Sequence, residues 1–245
     1  MKALILAAGK GSRLKPLTDN CPKPMLQIAG IPMIERIMRS IHQQTGIGSF
    51  VLIVGYRSDV VKRHFGDGSK MGWEIDYVLQ HAPAGVGDAV NCAQSLLANC
   101  NFIMTYGDIM LDAKDYRGLM VLQSNIKGGS DTSIVSLNWV EDPYLGAAVY
   151  LNDDGTIAII DEKPPKGTAT THWNNAGLFY FTPNIFEFTN TLIPSRRGEL
   201  ELPDALTAMI NSGQCVRSYQ LTGSWRDVGT LKDYEEINLE FEVHQ

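Results

Sequence analysis

The stretch Ala3-Leu-Ile-Leu-Ala-Ala-Gly9-Lys-Gly11-Ser-Arg13-Leu-Lys-Pro16-Leu-Thr18, with Pro22-Lys23-Pro24 just behind it, sets the reading of the chain. Residues 3–6 form a continuous apolar run, the pattern of a buried strand. The run empties into a loop with glycines at 9 and 11, then Arg13, then Lys23. Glycine lets backbone N–H groups approach a phosphate closely, and two cations neutralise its charge. The combination reads as a polyphosphate cradle. The glycines alone would suit an ordinary strand-to-helix loop equally well. Arg13 and Pro22-Lys23-Pro24 tip the balance.

Two familiar cradles are excluded. The pattern G-x-x-x-x-G-K-[ST] is absent, because no Lys-Ser or Lys-Thr follows Gly9 or Gly11. The dinucleotide fingerprint G-x-G-x-x-G also fails, since Leu14 stands at its third glycine. That glycine allows close helix–strand packing, and Pro16 would disturb a helix beginning there. The segment therefore reads as a long ordered loop carrying cations. A nicotinamide oxidoreductase is disfavoured on the same ground.

Working outward, 245 residues suit one α/β domain, or one domain with a small appendage. A hydrophobic fraction of 44% allows a large core without crosslinks. The net charge of −6 argues against the nucleic-acid backbone as a partner. It leaves room for a nucleotide, because local field outweighs net charge. Cys21, Cys92, Cys100 and Cys215 form no C-x-x-C pair and no metal spacing, so they read as reduced thiols of a cytoplasmic protein. Met1-Lys2 runs straight into a strand, so no signal peptide is expected. No apolar stretch approaches membrane-spanning length, and no membrane partner is expected.

The first half alternates strand and helix. Strands are expected at 3–6, 50–54, 74–79 and 101–105. Helices are expected at 32–43, with Ile34, Ile37, Met38 and Ile41 on one face, at 58–65 capped by Ser58, and at 87–98. This alternation predicts a three-layer, Rossmann-like α/β fold with a mainly parallel central sheet. The second half is richer in strands, expected at 131–137, 147–151, 157–160 and 173–181. Asn152-Asp-Asp-Gly155 marks a hairpin turn. Helices are expected at 183–189, 203–211 and 231–241. The β-rich insert reads as a substrate-side layer on the same core. A single domain results, with halves at about 1–130 and about 131–245.

Several residues carry candidate chemistry. Asp108 follows an apolar strand and Gly107, at a strand carboxyl end, where open α/β sheets bind ligands. A hard carboxylate there suits Mg²⁺, although a lone Gly-Asp also caps turns. Gln80 ends the strand at 74–79, and its amide offers both a donor and an acceptor to a pyrimidine ring. A helix starting near Gly87 would present free N–H groups beside it. Lys163 follows Asp161-Glu162 at a strand end, a place that is commonly just a solvated turn. His42, His64, His81, His172 and His244 show no metal or triad spacing.

The run Gly9-x-Gly11-x-Arg13-Leu-x-Pro16-Leu-Thr-x-x-x-Pro22-Lys23-Pro24 resembles the signature of the sugar-1-phosphate nucleotidyltransferases. The resemblance continues through Gly85-Val-Gly87-Asp-Ala, Gly107-Asp108, Glu162-Lys163-Pro164, Asn175-Ala-Gly177, Gly198-Glu-Leu-Glu201 and Trp225-Arg-Asp227-Val-Gly229-Thr, so it covers nearly the whole chain. It implies attack by a sugar-1-phosphate oxygen on the α-phosphorus of a nucleoside triphosphate, with release of pyrophosphate, and it makes the half at about 1–130 nucleotide-binding and the half at about 131–245 sugar-phosphate-binding. It gives Arg13 and Lys23 to the reacting phosphates. Ala8, Gly9, Gly11, Gln80, Gly85 and Asp108 go to the nucleotide. Gly146, Glu162, Lys163 and Asn175 go to the sugar phosphate, with Gly177 a further pocket position. Asp108 and Asp227 become the Mg²⁺ ligands. Glu199 and Glu201 match a motif whose role stays open between function and structure. Tyr106 departs from the small or apolar residue usual before Gly-Asp, which crowds the ribose side.

The implied partners are a nucleoside triphosphate and a sugar-1-phosphate, with homo-oligomerisation left open. UTP or dTTP with glucose-1-phosphate is the leading pair. A guanylyl- or cytidylyltransferase acting on mannose-1-phosphate or a phosphocholine-like acceptor is the alternative. A non-catalytic nucleotide-sugar sensor is disfavoured, because a sensor need not keep both metal carboxylates.

Overall fold

A computed structural model describes residues 1–126 and 131–243. His244, and the half-boundary expected at residue 130, lie outside the described residues. The described chain runs β1 (Lys2–Ala7), β2 (Gln27–Ile28), β3 (Ile31–Pro32), α1 (Met33–Thr45), β4 (Ser49–Val54), α2 (Ser58–Phe65) and β5 (Glu74–Leu79). It continues through α3 (Val86–Cys92), α4 (Gln94–Leu97), β6 (Phe102–Tyr106), β7 (Ile109–Leu111) and α5 (Ala113–Asn125). Then come β8 (Ser133–Trp139), β9 (Ala147–Leu151), β10 (Ile157–Glu162), β11 (Trp173–Phe181), α6 (Ile185–Thr189), α7 (Leu202–Asn211), β12 (Val216–Gln220), β13 (Trp225–Asp227) and α8 (Leu231–Val243). Among the described residues no helix is long and apolar enough to cross a membrane.

The chain folds as two compact units, neither continuous in sequence. The first comprises Met1–Pro83, Thr105–Arg117 and Gly223–Gln245. Its strands β1, β4 and β5 are parallel, with Ala3 opposite Phe50 and Ser49 opposite Glu74. They are parallel because each is followed by a crossover that returns the chain to the same end. Phe50 to Val54 are all buried, as expected of a strand covered on both faces. α1 turns Ile34, Ile37, Met38 and Ile41 inward, none more than 2% exposed. Burying side chains of this size contributes about 1.5–3 kcal/mol each. α8 closes the unit: the Asn238 amide oxygen accepts the Ala29 N–H at 2.9 Å, and the Tyr234 hydroxyl donates to Gln27 O at 2.7 Å.

The second unit comprises Ala84–Met104 and Gly118–Thr222. It contains the expected β-rich layer. β9 pairs antiparallel with β10 and with β11, β11 pairs antiparallel with β8, and β12 runs parallel to β8. The hairpin turn forms as expected, with the Gly155 N–H donating to Asn152 O at 3.0 Å. Phe102, Phe179, Phe181 and Phe186 make an aromatic core with ring centroids 5.4–5.8 Å apart. The mixed α/β class and parallel strands expected from the sequence are thus present.

Local expectations need correcting at three places. The helix expected at 87–98 divides at Ala93, whose N–H reaches back three residues to Val90 O at 3.0 Å and tightens the turn. Ser58 does not cap α2; it is the first helical residue, and Arg57 precedes it in a left-handed conformation with φ 52°. Pro32 lies in β3 rather than in the helix, which begins at Met33.

Candidate active site

In the first unit the chain leaves β1 at Ala7, passes Ala8 and Gly9, and turns at Gly11. Gly11 has φ +69°, and a Cβ there would sit 2.7 Å from Lys23 Cβ. Any other residue would therefore be strained and would push Lys23 away. The Thr18 hydroxyl donates to Gly11 O at 2.8 Å and pins the loop. Lys23 follows Pro22 in a single helical turn and is only 7% exposed.

The long-chain neighbours of Lys23 are fixed by strand pairing. β13 runs antiparallel to β7, with Asp227 opposite Ile109, and the Val228 N–H donates to Asp108 O at 3.1 Å. This register sets the Asp108 and Asp227 carboxylates beside one another although they are far apart in sequence. The Lys23 ammonium lies 2.5 Å from Asp108 Oδ2 and 3.6 Å from Asp227 Oδ1. Arg13 completes the group, its guanidinium 3.3 Å from where a Gly229 Cβ would lie, with Asp227 Oδ2 3.5 Å from the same point. Burial pushes the Asp227 carboxyl above its ordinary range. The Asp108 charge adds to that rise, against the opposing pull of Lys23 and Arg13.

A divalent cation fits the chemistry of this pair. Among the described residues no cluster of three or more His, Cys, Asp or Glu could hold a metal. Two hard carboxylates match Mg²⁺, which commonly takes one or two protein oxygens and completes its shell with water and substrate phosphate. Gln80 stands at the carboxyl end of β5, 9% exposed, with its backbone N–H donating to Val54 O. In strand order it is separated from β1 by β4.

In the second unit the ends of β9, β10 and β11 gather Gly146, Glu162, Lys163 and Asn175. Glu162 is the last residue of β10, opposite Ala147, and Lys163 follows with φ 50°. The Lys163 N–H donates to Gly146 O at 2.8 Å. Burial pushes the Glu162 carboxyl up, while Lys163 and Arg197 pull it down. Asn175 is partly committed: its Oδ1 accepts the Gly177 N–H at 3.0 Å, at a break in the β11–β8 register. The free N–H groups expected near Gly87 are reduced by one, because the Gly87 N–H donates to Leu200 O at 2.8 Å.

Two residues escaped the sequence reading. Asn174 is buried; its Oδ1 accepts the Ala147 N–H at 3.1 Å and its Nδ2 donates to Asn138 Oδ1 at 2.9 Å. A Cβ on Gly146 would collide with that Oδ1, so Asn174 shapes the Gly146 loop. Period-two alternation along β11 was the available signal, since it puts Asn174 and Asn175 on opposite faces. Arg197 was the second. It bonds Glu201 and Glu162, and its spacing of four from Glu201 was visible. Glu201 is buried, and Glu199 is about half exposed.

The first unit thus joins a glycine-containing loop at the end of a parallel strand to a carboxylate pair beside a buried lysine. The chain belongs to the nucleotidyl transferase family, whose sequence profile matches residues 2–243. It is 34% identical over 241 residues to a glucose-1-phosphate thymidylyltransferase of Streptomyces antibioticus, covering 97% of this chain and 65% of that protein. It is 31% identical over 239 residues to the low-salt glycan biosynthesis nucleotidyltransferase Agl11 of Haloferax volcanii, again covering 97% and 65%. The chain thus spans just under two thirds of the length of these relatives. A solved UDP-glucose pyrophosphorylase complexed with UDP-glucose superposes with a TM-score of 0.88 at 22% identity, covering 100% of this chain and 99% of that one, a likeness of fold.

Proposed function

We propose that the protein is a sugar-1-phosphate nucleotidyltransferase that joins a nucleoside triphosphate to a sugar-1-phosphate and releases pyrophosphate. The observation that carries this is the Lys23–Asp108–Asp227 group beside Arg13, in a chain of this family. The loop after β1 takes the phosphates of the triphosphate, and the ends of β9, β10 and β11 take the sugar phosphate. The nucleophile is already an anion, so the protein needs no strong base. It must align two polyanions and neutralise the charge that develops. Arg13 meets the developing charge and the pyrophosphate. Lys23 serves the reacting phosphates, and Asp108 and Asp227 hold Mg²⁺. When bound, the metal supplies Lewis-acid neutralisation of the phosphate oxygens. Lys163 takes the sugar phosphate, Glu162 accepts sugar hydroxyls, and Gln80 with Gly85 reads the base.

UTP or dTTP with glucose-1-phosphate is the leading pair, supported by the thymidylyltransferase relatives from two Streptomyces species. The test is pyrophosphate release across a panel of UTP, dTTP, GTP, CTP and ATP against glucose-1-phosphate, mannose-1-phosphate and phosphocholine. The expected result is release with one pyrimidine triphosphate and glucose-1-phosphate, silenced by EDTA. Absence of release from every pair refutes the proposal.

A further inference from the structure

Residues 195–201 do two jobs in the second unit. The segment folds on itself, the Gly198 N–H donating to Ser195 O and the Ser195 N–H to Glu199 O, both at 2.8 Å. Its side chains form a relay. Glu201 is buried, and its Oε1 accepts the Ser195 hydroxyl at 2.9 Å, Arg197 Nε at 3.1 Å and Arg197 Nη2 at 2.8 Å. The same Nη2 donates to Glu162 Oε1 at 3.2 Å. Glu199 stands further off, 3.8 Å from Arg197. One guanidinium is thus oriented by a buried carboxylate and aimed at Glu162. A planar fork held in this way fixes a carboxylate more tightly than a flexible ammonium could.

The backbone of the segment is tied elsewhere. The Leu200 N–H donates to Ala84 O at 2.7 Å, and Leu200 O accepts the Gly87 N–H at 2.8 Å. Gly85, between those two residues, has φ +106°, and a Cβ there would lie 2.5 Å from Leu200 O. The glycine allows the two loops to lie edge to edge.

We propose that residues 195–201 form a positioning strap, in which Arg197, oriented by Glu201, fixes the Glu162 carboxylate for a sugar hydroxyl while Leu200 locks the strap to the loop at Gly85. The proposal rests on the function given above. Arg197 secures Oε1 of Glu162, and Oε2 is the oxygen that meets the hydroxyl. Arg197 and Glu201 are positioning residues, and they set which sugar is accepted.

The test is a comparison of glucose-1-phosphate with its singly deoxygenated analogues in the pyrophosphate-release assay. Wild type should disfavour the analogue lacking the recognised hydroxyl by about tenfold to a hundredfold in kcat/KM, the range of one charge-assisted hydrogen bond. Arg197→Met should flatten that ratio and raise KM for the sugar phosphate, leaving KM for the triphosphate nearly unchanged. Arg197→Lys should recover part of the ratio. Glu201→Gln should act in the same direction as Arg197→Met and, with Arg197→Lys, carries the comparison if the Met variant does not fold. A purely structural role would instead lower kcat/KM equally for every analogue. Equal losses, or a triphosphate KM that rises as much as the sugar KM, overturn the strap while the enzyme assignment stands. A wild type that releases no pyrophosphate overturns both.

Discussion

Replacing Lys23 by Met keeps the buried stem and removes the charge. In the folded protein this strands Asp108 and Asp227 next to one another without the ammonium that sits 2.5 Å from one and 3.6 Å from the other. Removing one partner of a fully buried ion pair costs about 3–5 kcal/mol, largely from the charge left behind. Here the side chain of Lys23 is 8% exposed, but those of Asp108 and Asp227 are 31% and 46% exposed, so water shields the stranded carboxylates. The expected loss is therefore smaller, about 2 kcal/mol. The assay is urea unfolding near neutral pH in EDTA. Asp108→Asn in the Lys23→Met background removes one stranded charge and should return about half of the loss. Saturating Mg²⁺ should rescue Lys23→Met more than it stabilises wild type, because the ammonium no longer competes for the carboxylates. At about ten times Kd such binding adds about 1.4 kcal/mol. A loss under about 0.5 kcal/mol, the range of an unremarkable surface change, would refute the reasoning. So would a double variant no more stable than the single one.

Asp108→Asn and Asp227→Asn should each lower turnover by orders of magnitude while thermal unfolding stays cooperative; near-normal Mg²⁺-dependent release by either variant removes that aspartate from the ligand set. Gln80→Ala should narrow the preference for UTP or dTTP over GTP, expected at about tenfold or more in kcat/KM; an unchanged ratio dismisses Gln80 as the reader of the base. Glu35 is 5% exposed and is held by Arg39 Nη2 at 2.5 Å and His64 Nε2 at 2.7 Å. Burial pushes its carboxyl up, yet the bonds from His64 and Arg39 outweigh that and hold it below the ordinary range. A depressed carboxyl adds stability above its unfolded pKa of about 4.3 and loses it as pH falls through the folded value. Glu35→Gln should therefore cost about 1–3 kcal/mol at neutral pH, and the gap should close in acid; a gap independent of pH sinks the assignment.

β1 and β4 were legible because each carries an unbroken apolar run, as at Phe50 to Val54, and α1 because its four core residues recur at helical spacing. The missed elements have weaker signals. β12, Val-Arg-Ser-Tyr-Gln, buries only Val216 fully. α5 carries Gly118 in its interior, a residue that argues against helix, yet a Cβ there would collide with the Tyr219 hydroxyl. β7 and β13 are three residues each, too short for periodicity to register. Their pairing is nonetheless what brings Asp227 to Asp108. Sequence could name both aspartates by resemblance, but the proximity of Lys23 to them is a product of tertiary register. Arg197 was overlooked for a similar reason, since Arg196-Arg197-Gly198 reads as a solvated charged turn until its partners are in place.

The interleaving of the two units sets an order on biosynthesis. Synthesis reaches Met1–Pro83 before any part of the second unit, yet the first unit also needs Gly223–Gln245, whereas every residue of the second has been added once Thr222 is joined. The unit begun first is therefore completed last. Until then Lys23 and Asp108 wait on the nascent chain without Asp227, and β2 waits without Tyr234. A cut after Thr222 leaves every residue of the second unit but takes Asp227 and Tyr234 from the first, whereas no single cut separates the first unit from the second.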